Sequence, residues 1–214
     1  MITVTHAKII WVLLLVLCFL SFSIWYGGSR KPISPEEGRQ LLERLTAVYG
    51  EDSDPDRGFI ANMAEMIPHD DGREFYAVNL EDLKDGSEAA QSDRAYAGIV
   101  VPLLLKRASH PVIVSERAGL MLGRYGSGVD RVVVVRYRSL RDMIEMTLEP
   151  SMQDGEVYKF AALNHTEVFI TRPYISFVQV RFVVALILVL IAWIGLGGLD
   201  AIAARLHQPK QDAA

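Results

Sequence analysis

Cysteine is almost absent: Cys18 is the only one in 214 residues. No intrachain disulfide can form. Cys18 also lies inside an apolar run, so the rest of the chain has no thiol nucleophile. Histidine is sparse. The five (His6, His69, His110, His165 and His207) are scattered, and none is followed at i+3 or i+4 by another metal-ligating side chain. That spacing excludes a helix-borne metal pair, so no metal site is expected. His69-Asp70-Asp71 is the one dense cluster, and with Gly72 after it the run reads as a turn. No Gly-x-Ser-x-Gly occurs, and Gly126-Ser127-Gly128 belongs to a hairpin turn instead of a nucleophile elbow. Gly123–Gly128 leads into a strand, so it presents no helix N-terminus to a phosphate. No cofactor is implied.

An excess of basic charge is also missing. Residues 27–176 carry 18 Lys and Arg against 24 Asp and Glu, a net charge of −6. Residues 36–93 hold 16 acids and 5 bases, whereas 94–172 hold 11 bases and 8 acids. Nucleic acid is excluded as a partner, because binding it requires a basic face to neutralise phosphates.

Apolar residues, by contrast, are abundant. They make up 50% of the chain, and mean hydropathy is +0.20. Two charge-free runs carry the surplus: Ile9–Tyr26 has 16 apolar residues in 18, and Phe182–Leu199 has 15 in 18 with only glycine between them. As a helix, each is about 27 Å long, close to a bilayer core of about 30 Å. Trp11, Trp25 and Tyr26 stand near the ends of the first run, where amphipathic rings favour the headgroup level. The expectation is a two-span protein: a tail over 1–8, a span over 9–26, a linker over 27–33, a second span over 177–199 and a polar tail over 200–214. The first run reads as an uncleaved signal anchor. A cleaved signal peptide is the alternative, with Ser21-Phe22-Ser23 at the cut. A short N-terminal tail with Lys8 places both termini in the cytoplasm and the central domain in the periplasm or another extracytoplasmic space. The bilayer is then the first partner.

Between the runs, Ser34-Pro35-Glu36-Glu37 combines a cap, an N1 proline and a capping box. With Leu41, Leu42, Leu45 and Val48 at helical spacing, it starts a helix that Gly50 ends. A second, shorter helix begins at Asp54-Pro55 and puts Phe59, Ile60, Met63 and Ile67 on one side, giving a helical hairpin over 34–68. Strands follow at Phe75–Leu80, His110–Arg117, Val129–Tyr137 and Thr166–Thr171. Helices are read at Ser92–Arg107 and from Ser139 to near Pro150, with a further helical turn at Val157–Leu163. The order is βαββαβ, so the fold class is α+β with a ferredoxin-like domain over 75–172. A sheet covered on one side alternates apolar and polar residues, yet Val132–Val135 is apolar on both faces. Its open face therefore requires a cover, either the hairpin or a second copy. A homodimer is the expected answer.

Tyr76-Ala77-Val78-Asn79-Leu80, Pro102-Leu103-Leu104, Arg136-Tyr137-Arg138-Ser139 and Glu149-Pro150 carry a resemblance. They are similar to an uncharacterised family, domain of unknown function thirteen-thirty, of the dimeric α+β barrel superfamily. Glu149-Pro150 stands where Asp-Pro is usual in that family, and Ser151-Met152 lacks its aromatic. The resemblance implies a small-ligand cleft between sheet and helices, with Asn79 and Tyr137 near it. His165, just before the last strand, titrates near neutrality and is the acid–base candidate. The reading is a membrane-anchored, dimerising module without catalysis that binds a small ligand or a membrane or periplasmic protein. The alternative is a membrane-tethered small-molecule enzyme, an oxygenase or isomerase.

Overall fold

The computed structural model describes residues 3–50, 58–176 and 178–206. They form two compact units: Tyr26–Ile175, and the pair of segments Met1–Trp25 and Ser176–Ala214. The second of these is built from two apolar helices. Helix α1 spans Val4–Gly27 and α7 spans Val180–Leu206, both long and apolar enough to cross a membrane. Their apolar side chains are largely exposed all round, as the absence of an amphipathic stripe requires. Within this unit Trp11 packs against Gly195, and Lys8 pairs with Asp200.

In the other unit, helix α2 (Pro35–Tyr49) starts as its sequence dictates. Ser34 Oγ accepts the Glu37 amide at 3.2 Å, and Pro35 occupies the first turn. Helix α3 (Phe59–Met66) completes the hairpin; the Asp54-Pro55 start assigned to it lies outside the described residues. Strands β1 (Phe75–Leu83), β2 (His110–Glu116), β3 (Arg131–Tyr137) and β4 (Leu163–Thr171) form one antiparallel sheet in the order β2-β3-β1-β4. Helix α4 (Ser87–Lys106) links β1 to β2. Helices α5 (Leu140–Thr147) and α6 (Pro150–Ala162) link β3 to β4. Pro150 thus opens a second helix of 13 residues, where the sequence reading had only a final turn at Val157–Leu163. Proline lacks the N–H that a first-turn position leaves unpaired anyway, so it suits a helix start as well as a stop.

All the helices of this unit cover one face of the sheet. Val133 and Val135 point into a core with Leu104, Met146 and Met152. The hairpin joins the same side: Leu41, Leu45, Met63 and Ile67 pack with Phe75, Ala77, Leu140 and Ile144. Each such side chain contributes about 1.5–3 kcal/mol when fully buried. The hairpin therefore does not cover the open face. That face carries a row of four apolar side chains in register across every strand: Ile113 on β2, Val134 on β3, Val78 on β1 and Phe169 on β4. Val132 and Leu80 stand in the next row, between Ser115 and Glu167. Ile113 is 49% exposed and Phe169 46%.

Candidate functional site

The alternation of β1 decides where its side chains can act. Asn79 and Glu81 fall on the helix-covered face with Phe75 and Ala77. Tyr137 shares that face, opposite Phe75, with the two rings stacked at 5.3 Å. Asn79 pairs with Val133 two rows along, and its Nδ2 donates to the Val133 carbonyl at 3.0 Å. The structure therefore brings Asn79 and Tyr137 to one side of the sheet. His165 pairs with Asp82 on the opposite side and is exposed, so it belongs to no cleft with them.

Charged and phenolic groups gather between sheet and helices around these two residues. Arg131 of β3 holds Glu81 (2.6 Å) and, through both terminal nitrogens, Asp93 of α4 (2.7 and 2.8 Å). This fork keeps the Asp93 carboxyl below the usual carboxylate range, because its hydrogen bonds favour the charged form. From α6, one turn apart on one side, come Glu156 and Lys159. Burial raises the Glu156 pKa and lowers that of Lys159. The Lys159 ammonium lies 5.8 Å from the Tyr96 ring centroid, with Glu81 and Glu156 as the carboxylates acting on it. Desolvation pushes the phenols of Tyr49, Tyr96 and Tyr137 well above their ordinary pKa, so all three are neutral donors. Tyr49 donates to the Thr147 carbonyl at 2.8 Å. Burial shifts the acid and the amine toward each other, the direction that suits groups exchanging protons with a bound molecule. The sequence reading passed over Glu156 and Lys159, and the i,i+3 spacing after Pro150 was the only signal for them.

A cavity of about 320 Å³ opens at the Phe75 row, two rows from Asn79. Met66, Phe75, Leu140 and Ile170 give it an apolar wall, Glu65, Asp70, Arg73 and Arg172 add charge, and His69 adds an imidazole. Asp70 and Asp71 serve the turn beside it. Asp70 accepts the amides of Gly72 (3.1 Å) and Ile33 (2.8 Å), and Asp71 accepts that of Arg73 (3.0 Å). This is the local bonding expected of Asx residues before a glycine. Among the described residues no group of three or more His, Cys, Asp or Glu is placed to hold a metal ion.

At the end of the sheet where the chain arrives from α1, Arg136 is 1% exposed. It donates to the carbonyls of Ala108 (2.7 Å) and Tyr26 (3.1 Å) and to Glu74 (2.5 and 2.8 Å). The Tyr26 hydroxyl shares a 2.8 Å hydrogen bond with His110 Nε2. Tyr26 and the row His110, Arg136, Tyr76 and Thr171 mark one end of the sheet, so both chain connections leave from that end.

No protein-family model matches the chain, and neither does any curated protein. Among solved structures, the chain is similar to the RPA0582 protein of unknown function from Rhodopseudomonas palustris. The match has 18% identity and a TM-score of 0.49, and it covers 54% of this chain and 93% of that one. The methylated form of RPA0582 matches at 17% identity and TM-score 0.49, over 54% and 92% of the two chains.

Proposed function

We propose that the protein is a membrane-anchored α+β module that pairs with a second copy through the open face of its sheet. The observation that carries this reading is the Ile113-Val134-Val78-Phe169 row. Four apolar side chains in register, with Val132 and Leu80 beside them, form a continuous patch of the kind that marks an interaction surface. The hairpin and helices α4–α6 pack on the other side, and Tyr26 meets this side only at the Arg136 row. The antiparallel strand order and the two helical connections support a ferredoxin-like βαββαβ reading, with α5 and α6 together in the second helical position. The resemblance to the domain-of-unknown-function family and its dimeric barrels points the same way. The two apolar helices act as anchors, with both termini cytoplasmic and the domain on the extracytoplasmic side. There the dimer presents a surface to a small ligand or to a membrane or periplasmic protein.

The test is the mass of the full-length protein in lipid nanodiscs, measured for wild type and for Val134→Asp combined with Phe169→Asp. A wild-type dimer that the double variant converts to monomer is expected. A wild-type monomer, or a dimer indifferent to both substitutions, overturns the reading.

One arrangement favours a second reading, a tethered small-molecule enzyme: Glu156 and Lys159 side by side under the sheet. Burial shifts Lys159 toward the neutral amine, the form that condenses with an aldehyde to an imine, expelling water, and borohydride then fixes the adduct. Labelling of Lys159 ahead of the exposed Lys106 supports that reading, and equal labelling counts against it.

A further inference from the structure

The connection between β2 and β3 is longer than a hairpin needs, and its composition is unusual for a loop. Residues 117–130 contain two arginines, one acid at the far end (Asp130, whose carboxylate accepts the Leu83 amide at 2.9 Å), and the run Leu120-Met121-Leu122 between Gly119 and Gly123. Met121 and Leu122 are 102% and 92% exposed, and Tyr125 is 97% exposed at the start of a short 3-10 turn ending at Gly128. Leu120 beside them is 47% exposed. Leaving them in water is unfavourable, and no packing within the chain offsets it.

One cation sits at the stem and one beside the tip. Arg117 is fixed at the stem by its Nε donating to the Val129 carbonyl at 2.5 Å. The Arg124 carbonyl accepts the Ser127 amide at 3.1 Å, and among the described residues its guanidinium makes no hydrogen bond or ion pair. An apolar tip, an amphipathic phenol and an arginine beside it, and a second arginine at the stem, with the carboxylates confined to Glu116 and Asp130 at the strand ends, match the layering of a bilayer surface, with acyl chains inside, a polar interface and anionic phosphates outside. A protein groove complementary to this loop would have to supply an acidic rim around an apolar floor. A lipid surface supplies both without a specific fit. The loop leaves the sheet at the Glu116–Arg131 end, whereas both chain connections leave at the Arg136 end, across the seven-residue strands. A strand of that length is about 23 Å long.

We propose that the 117–129 loop docks on an anionic lipid surface.

The experiment uses the full chain in nanodiscs of neutral phosphatidylcholine, mixed with sedimentable vesicles of phosphatidylcholine alone or with one-third phosphatidylglycerol. Incorporation into the nanodisc is scored first, and its failure overturns the anchoring reading alone. Cosedimentation with the vesicles is scored separately. Wild type is expected to pellet with anionic but not neutral vesicles, and less so as salt is raised. Met121→Asp with Leu122→Asp should weaken this by more than about tenfold. Arg124→Ala should weaken it about fivefold, the loss that matches one arginine at an anionic surface. All these side chains are exposed, so an unchanged thermal unfolding profile verifies that the variants fold. No pelleting with anionic vesicles, equal pelleting with neutral ones, or variants that pellet like wild type overturn the proposal. So does a change in oligomeric mass in the loop variants, because that assigns the loop to protein contact.

Discussion

The guanidinium of Arg136 lies 3.8 Å from the centroid of the Tyr26 ring while one of its nitrogens donates to the Tyr26 carbonyl. A strand residue on the open face of the sheet thus holds the backbone and the ring of the last aromatic in α1. The same guanidinium reaches the Ala108 carbonyl, where the chain has just left α4 with a positive φ of 52°. One side chain therefore ties two separate chain segments to one end of the sheet. The site requires arginine. A lysine offers one point charge and cannot lie flat against the ring while donating in three directions.

Arg136→Met should destabilise the domain by about 2–4 kcal/mol, because two buried carbonyls lose their donor while Glu74 regains water. Tyr26→Phe keeps the ring and removes only the bond to His110, so its cost should be about 0.5–1.5 kcal/mol. Denaturant titrations of the full chain in detergent, followed by near-ultraviolet circular dichroism, give the order. Equal costs for the two variants would show that Arg136 gains nothing from its carbonyl partners.

Much of the fold was legible because its signals are local. Ser34-Pro35 and Ser139 cap their helices as read, and Val132–Val135 divides between a helix-covered pair and an open-face pair. Tyr26 was read as part of a span, since hydropathy registers an aromatic ring without asking whether a distant arginine lies beneath it. Pro150 was read as a stop, because proline fits either end of a helix and only tertiary packing on α4 selects the start. Asn79 and Tyr137 share a face by strand parity, which a sequence reveals. His165 occupies the other face because it pairs in regular register with Asp82, an even position of β1 like Val78 and Leu80, whereas Asn79 is odd; a sequence does not show which residue of β1 each residue of β4 faces. Glu156 and Lys159 were missed because their importance comes from desolvation, a property of what packs over them.

Gly72 should tolerate no side chain. Its φ is +69°, and an added Cβ would stand 2.5 Å from the Lys31 carbonyl carbon. Left-handed backbone costs an L-residue about 1–2 kcal/mol before any clash. Gly72→Ala should therefore destabilise by more than about 2 kcal/mol. Gly86→Ala, also at positive φ but with open space around it, should cost only the backbone term. Comparing the two melting temperatures separates clash from conformation.

The Glu156 carboxyl titrates above its ordinary range because burial disfavours its charge. The folded state therefore keeps a proton that the unfolded state has already lost. Through that window, from the ordinary carboxylate pKa up to the raised one, stability should fall as pH rises. Asp93 has the opposite sign. The Arg131 fork lowers its pKa, so its contribution is complete above the unfolded value and disappears as pH falls through the folded one. Glu156→Gln should flatten the first slope and leave the second, and Asp93→Asn the reverse. Unfolding free energies across acid to neutral pH test both, and a Glu156→Gln profile that matches wild type would refute the burial argument.

Gly195 governs the contact between α1 and α7. It carries the Trp11 indole on its bare Cα, and a Cβ at that position would overlap the indole nitrogen. Helices in lipid gain nothing from moving apolar surface out of water, so close backbone approach at small residues carries their association. Gly195→Val should force the indole out and separate the helices at that level, whereas Gly197→Val, which meets nothing within 4 Å, should not. In a Cys18→Ser background, cysteines at positions 8 and 200, where Lys8 and Asp200 pair, report the separation through a short thiol cross-linker. Cross-linking should drop for the first variant and persist for the second. Equal yields would mean that the Trp11–Gly195 contact does not hold the helices together.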